Sequence, residues 1–521
     1  MGKEPHPDRR PPKTIPGQAA IALVTILAYT LIACSQVTSL QFKAVPLSEV
    51  RGNGQLARFD TFDGKQFEMT VESVAFPYVV GVDKGQRVKL DLRQVKAVAI
   101  ASQQPDQAAT WIKYMTIAAG TYGAVLLGVA LIILATKSSC PFFYVEEGGR
   151  LTLVGEAYSG AAFRSIARDD LLPTPLPAGA EVRARLSNEA HETQLTDALE
   201  LVVADHRPDL RVLSTFDAHV IAVGPSRPPT EARDQDGRDV GGLVRAADDR
   251  LWQTDLAEMA ARSAPPLRET LDLTFQPDAA APWRAGSTPV LELSVGNTPW
   301  IDAVMGRFFA LMGSRLEGYI EDGNDLSARA TITAWREREG VDLRVEAELD
   351  GKLQPVALVP TAGPMSLRRV AIPLPATAAS SGKPLHVRVS GGLGFWRVDE
   401  AALSWQTALD EEPRRIAPTA ARDSAGRDWR EALRSIDGTS HVLADRGDRL
   451  DLSFELPPVA AGRSRTAFLF THGYYNVHRP PNGDWSPLVL KEIRDRPGAL
   501  AAFGLDLFRG YMRLVAGASA R

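Results

Sequence analysis

The sequence predicts a mainly β protein held at a membrane. Three observations carry this: two charge-free apolar stretches in the first quarter of the chain, short alternating runs bounded by Gly and Pro turns over the rest, and a group of segments that occurs twice in the same order. The architecture expected is two membrane helices, a small β-barrel and two tandem β-sandwich-like units, each ending in a short helix. With 521 residues, the chain is long enough for several domains that each bury a core. A net charge of -4 lacks the basic footprint of a nucleic-acid binder, so no nucleic-acid partner is expected. The two cysteines, Cys34 and Cys140, are too few for a disulfide framework and belong to no zinc-type cluster.

Residues 1–33 read as a signal peptide or signal anchor. Lys3, Arg9, Arg10 and Lys13 form a basic leader, followed by the apolar run 19–33. The run ends in Leu31, Ile32, Ala33 and Cys34, which resembles the lipobox of bacterial lipoproteins. That resemblance implies a diacylglycerol on Cys34 and cleavage after Ala33; an uncleaved anchor is the other reading of the same residues. Both attach the chain to a lipid bilayer.

Residues 114–136 carry no charge and lie between Lys113 and Lys137. A transmembrane helix needs about 20 apolar residues to cross a hydrocarbon core of about 30 Å. Gly120, Gly123 and Gly128 would each cost a soluble helix about 1 kcal/mol, whereas small residues are ordinary in membrane helices. The flanking lysines are symmetric, so the side of the membrane on which residues 140–521 lie is open.

Between these stretches, residues 38–105 read as five short strands: 56–61, 66–74, 78–82, 87–92 and 95–100, with turn signals at Asp63-Gly64 and Asp83-Lys84-Gly85. Five strands in so short a span resemble an SH3-like or Sm-like barrel.

The β-rich remainder is duplicated. ARDQDGRD at 232–239 recurs as ARDSAGRD at 421–428, and LDLTF at 271–275 recurs as LDLSF at 450–454. Apolar runs at 290–296 and 467–473 follow, then amphipathic helices near 301–320 and 500–515. Upstream, 182–201 matches 386–405, with Asp197 corresponding to Asp399. These matches divide the region into β-sandwich-like units at 140–322 and 325–516. Alternating runs at 328–336, 341–348 and 385–389 are expected as strands, and the segment from Gly394 to Trp405 is similar to the closing strands of carbohydrate-binding jelly rolls. With Ser138 to Tyr144 opening the tail, the succession of lipobox, small barrel, apolar segment and β-rich region resembles uncharacterised bacterial lipoprotein-type envelope proteins. This resemblance implies a cell-envelope location and no known activity.

Chemical candidates are few. Phe395 and Trp396 suit either core packing or a platform for sugar rings, which makes a glycan or an envelope protein the candidate partner. Asp234, Asp236 and Asp239 around Gly237 resemble part of a calcium loop, although aspartates bonding their own turn explain the pattern equally. His472 and His478 lack an identifiable third ligand, and Val295 stands in the first copy where His472 stands in the second. Glu189, His191, Glu192 and Asp197 cluster as acid–base groups would. No nucleophile elbow, Walker loop, zincin motif or dinucleotide fingerprint occurs. The expectation is a membrane-tethered binding or scaffold protein without a cofactor; a glycan- or ester-active hydrolase is the alternative.

Overall fold

A computed structural model describes residues 38–45, 50, 55–61, 65–75, 78–83, 85–105, 141–277, 287–378, 383–478 and 483–519. Cys34, Cys140, both apolar stretches and the Asp63-Gly64 turn lie outside them. Among the described residues no helix is long and apolar enough to cross a membrane. The chain divides into two compact units, 1–130 and 131–521.

The described residues of the first unit form one antiparallel sheet of β1 (Thr38–Val45), β2 (Gln55–Thr61), β3 (Gln66–Ala75), β4 (Tyr78–Asp83), β5 (Gln86–Asp91) and β6 (Val95–Pro105). Its order is β1-β6-β2-β3-β4-β5. The five expected strands are present, and β1 is added alongside β6. Alternate residues point inward, so Ala57, Phe59, Met69, Val71, Val79, Leu90 and Val98 form one core. Gly81 is required, because a Cβ there would stand 2.4 Å from the Thr70 carbonyl oxygen.

The second unit opens with β7 (Phe142–Glu147), β8 (Arg150–Glu156), β9 (Arg168–Thr174), β10 (Glu181–Ser187) and β11 (Glu192–His206). Then come β12 (Arg211–Ser214), β13 (Val220–Val223), β14 (Glu231–Asp234), α1 (Gly241–Val244), β15 (Trp252–Gln253), α2 (Leu256–Ala261), β16 (Arg268–Phe275) and β17 (Pro289–Asn297). Three helices follow: α3 (Pro299–Ala310), α4 (Leu316–Asn324) and α5 (Arg329–Glu339). The pattern then repeats as β18 (Leu343–Leu349), β19 (Lys352–Val359), β20 (Arg368–Pro373), β21 (Leu385–Gly392), β22 (Trp396–Thr407), β23 (Arg414–Ile416), β24 (Ala420–Asp423), β25 (His441–Leu443), β26 (Arg449–Glu455) and β27 (Ser464–Val477). Helices α6 (Pro487–Asp495) and α7 (Ala499–Ser519) end the described chain.

The duplication is visible in detail, but its halves are exchanged. Sheet β24-β26-β10-β7-β8 faces sheet β23-β11-β27-β9, and their inward residues, Phe143, Val182 and Leu452 from one with Leu199, Leu201 and Leu469 from the other, share one core. The other sandwich-like pair is β14-β16-β21-β18-β19 with β12-β13-β22-β17-β20. In each, β7 to β11 of one copy, or β18 to β22 of the other, pair with the late strands of the opposite copy. The consecutive division at 322 and 325 therefore describes the sequence repeat and not the two packed bodies. Beyond β11 the chain leaves its sheet, and β12 locks onto the other body through a bidentate pair of Arg211 with Glu292 on β17, at 2.6 and 2.7 Å. After β22 the chain crosses back, and β23 joins β11.

Equivalent positions behave alike. The Asp234 carboxylate accepts the backbone N–H groups of Asp236 and Arg238, each at 2.9 Å, and the Asp423 carboxylate accepts those of Ala425 and Arg427 at the same distance. Gly237 and Gly426 sit at φ 75° and 78°, a backbone region that glycine occupies without strain. Asp197 and Asp399 are each bulged out of the ladder of their long strand.

The two bodies meet along β9 and β20. Asp170 is fully buried between Arg168 and Arg368, with Arg368 at 2.5 Å and Arg168 at 3.0 Å. Burial pushes the Asp170 carboxyl up, but the two guanidiniums outweigh it and hold the group below its ordinary value.

One expected strand is a helix. Residues 328–336 alternate as a strand would, yet 329–339 form α5, which ends at Gly340 in the left-handed region (φ 71°). On its inner side Trp335 stacks on Phe308 of α3 at 5.5 Å, and that packing outweighs the local alternation. The expected helix at 301–320 is two helices. Gly313, at φ 50°, breaks it where a Cβ would meet the Gly483 carbonyl at 2.7 Å.

Candidate functional site

Beside the sheets, α3 to α5 and α6 line a partly open cavity of about 1440 Å³. Pro299 starts α3 and Pro487 starts α6, each in the first turn, where a missing N–H costs nothing. The walls are aromatic. Phe163 meets Tyr319 edge-on at 5.7 Å and Phe309 at 6.4 Å, while Phe308 stacks on Trp335. A Cβ on Gly323 would lie 2.8 Å from the Phe163 ring, so this glycine lets α4 close on that wall.

The polar lining is mostly committed to structure. Arg336 donates to both oxygens of Asp342 at 2.5 and 2.9 Å and to the Gly160 carbonyl at 2.7 Å. Burial lowers its pKa, but Asp342 outweighs this and leaves it raised. Trp335 Nε1 donates to the Ile493 carbonyl at 3.2 Å and Arg338 to the Arg494 carbonyl at 2.6 Å, which ties α5 to α6. Lys491 and Arg494 both pair with Asp495, each at 2.7 Å. Arg315 differs. It lies over the Trp485 ring at 4.5 Å, and among the described residues no carboxylate pairs with it.

The residues singled out from the sequence lie elsewhere. Phe395 and Trp396 are completely buried, so they form no ligand platform. Gly391 and Gly392 make room for them: a Cβ at either would stand within 2.5 Å of one of these rings. The turn that carries them is held by Glu269, which accepts the N–H groups of Gly394 at 2.9 Å and Trp396 at 2.8 Å. Burial pushes the Glu269 carboxyl up to about 7, against the pull of these amides.

Asp234, Asp236 and Asp239 do not converge. Asp234 caps its own turn, Asp236 is clamped by Arg262 with both contacts at 2.7 Å, and Asp239 accepts the Gly241 N–H at 2.9 Å. Among the described residues no group of three or more His, Cys, Asp or Glu side chains could hold a metal ion. His472 faces Asp169 at 2.8 Å, while His478 faces Thr193 Oγ1 at 2.7 Å, so the two histidines have separate partners. The bulges place Ser294, rather than Val295, at the position equivalent to His472.

The acid–base cluster is likewise divided. Glu189 accepts from Ser187 Oγ at 2.7 Å, buried Glu192 from Gln194 at 2.8 Å, and Asp197 from Ser440 Oγ. His191 is exposed and lends its backbone carbonyl to the His478 N–H. Asp399 accepts the N–H groups of Asp248 and Asp249 where Asp197 accepts Ser440, so both bulged aspartates hold the loop before a short strand.

Sequence reasoning missed the cavity. Its only advance signal was the helical spacing of Ile301, Val304, Met305, Phe308, Phe309 and Met312, a stripe broader than a helix packed on a single sheet requires.

No family model matches this chain, and no curated protein matches it. Among solved structures, it is similar to the one titled "Structure of infectious bursal disease virus Gx strain" at 12% identity and a TM-score of 0.16, over 90% of each chain. A "Crystal structure of infectious bursal disease virus VP2 subviral particle" gives 12% identity and a TM-score of 0.12, over 92% of this chain and 94% of that one. Likeness at this level carries no argument about fold or function.

Proposed function

We propose that this chain is a membrane-tethered, non-catalytic binding protein of the bacterial cell envelope, and that the helix-walled cavity is its binding site. One observation carries the reading: a volume of about 1440 Å³ with aromatic walls, whose buried polar groups are already engaged with one another. Such concave, largely apolar sites are the usual form of small-molecule binding sites, typically of about 300–1,000 Å³. In this reading Cys34 or the uncleaved first stretch anchors the chain, and residues 114–136 cross the bilayer. The small sheet serves as a spacer; its 3₁₀ turn Leu92–Gln94, followed by a strand returning to β2, supports an SH3-like assignment. The two larger bodies, of jelly-roll-like character, form the rigid frame that holds the helices.

The test uses the full chain in phosphatidylcholine vesicles, with tryptophan fluorescence read during titration with dibromostearyl alcohol, dibromostearate and dibromostearylamine. Trp335 and Trp485 line the cavity and would be quenched by bromine inside it. Gly318 also lines it, and its Cβ position is open, so Gly318→Phe fills space without strain. Quenching by at least one amphiphile should be saturable in the wild type and lost in Gly318→Phe. Equal quenching in both proteins for all three would end the reading. Release of the full chain from membranes by carbonate would end the tether.

A further inference from the structure

We infer that the cavity takes the acyl chain of an anionic amphiphile, with the acidic head seated at Arg315. The inference rests on the binding reading above and adds the class of ligand. It comes from a comparison of the cations along the lining. Arg336 is satisfied by Asp342, Arg338 pairs with Glu339 at 2.9 Å, and Lys491 and Arg494 share Asp495. Arg315 alone among these lacks a carboxylate, and it is exposed at the mouth. Its guanidinium lies over the Trp485 ring at 4.5 Å, and a guanidinium placed so can still donate to a carboxylate or phosphate. Gly313, two residues before Arg315, closes against Gly483 and fixes the turn that presents it.

The surroundings of Arg315 fit a chain-bearing ligand. Trp485, over which Arg315 lies, is 42% exposed and Tyr319 37%, although both line the cavity. These two part-exposed rings line the same cavity as the charged point, with the buried aromatic walls beside them. A free polar anion would leave the walls unoccupied, and an uncharged hydrocarbon would leave Arg315 unpaired. Asp322, exposed on α4 and also in the lining, is the competing feature, because it would select a cationic head.

The same brominated series decides. Dibromostearate should bind wild type about tenfold more tightly than the alcohol, and more tightly still than the amine. Arg315→Gln should abolish the preference for the acid while leaving the alcohol unchanged, and Arg315→Lys should restore part of it. Vesicles containing brominated phosphatidylglycerol distinguish a bilayer lipid from a free fatty acid; quenching by either anionic source supports the inference. Binding of the alcohol or amine at least as tightly as the acid overturns it, as does an Arg315→Gln variant that keeps the acid preference. Those outcomes leave the binding reading standing, whereas absence of saturable quenching by every probe removes both.

Discussion

A cut between the two sequence repeats tests the exchanged architecture directly. A protease site placed after Asp325, in an exposed segment, separates the repeats covalently after the chain has folded. If each repeat were a self-contained body, the halves would part. In the observed pairing they cannot part without unfolding, because the core of the first body takes Leu443, Leu450, Leu452, Phe454 and Leu469 from the second repeat, all of them buried. At about 2 kcal/mol for each large side chain returned to water, separation costs roughly 10 kcal/mol in that core alone. That is comparable to the whole stability of an ordinary domain, about 5–15 kcal/mol. The pairing of the 15-residue β11 with the 14-residue β27 would be lost as well. The cleaved protein should run as two bands on a denaturing gel and as one species in gel filtration, with its circular dichroism unchanged. Its urea midpoint should become dependent on protein concentration, since unfolding now releases two chains. Two separately eluting fragments that each keep a β spectrum would refute the exchange.

Three further outcomes follow from particular residues. Asp170→Ala leaves buried Arg368 and partly buried Arg168 without their shared counter-charge and should cost about 3–5 kcal/mol in urea denaturation. Because the Asp170 pKa is lowered, its contribution is present above the unfolded value and is lost as pH falls below it. Glu269 acts in the opposite sense. Its carboxyl rises from 4.5 to about 7, so its contribution is complete below pH 4.5 and is lost as pH rises through 7, by about 3 kcal/mol. Urea midpoints at about pH 5 and pH 8 should therefore differ more in wild type than in Glu269→Gln; an equal difference would sink this assignment. Asp234→Ala and Asp423→Ala each remove the acceptor for two backbone N–H groups and should each cost about 1 kcal/mol or more, with no stabilisation of wild type on adding calcium in a melting experiment.

Much of this fold was legible in the residues. The alternation from Gln66 to Val74, the turn glycine Gly85 and the paired strings at 232–239 and 421–428 are local signals, and strands or turns stand at each. The turn aspartates were legible because a carboxylate two residues ahead of a free backbone N–H bonds it whatever the tertiary context. Trp396 was ambiguous for a physical reason: an aromatic ring suits a core and a sugar platform equally, and only the burial of its surroundings decides between them. Residues 328–336 were misread because their alternation satisfies a strand, while the stack of Trp335 on Phe308 that selects the helix joins positions remote in sequence.

The residues by themselves determined that this chain builds strands with one apolar face and that it does so twice. Which copy each strand pairs with was decided only by the tertiary structure. Backbone hydrogen bonds carry no label, and two near-identical strands, 271–275 and 450–454, offer the same apolar face to either partner. The choice falls to the short links after β11 and β22, which carry the chain across to the other body. The same crossing placed α3 to α6 around a common space, and so made a cavity whose walls come from both repeats.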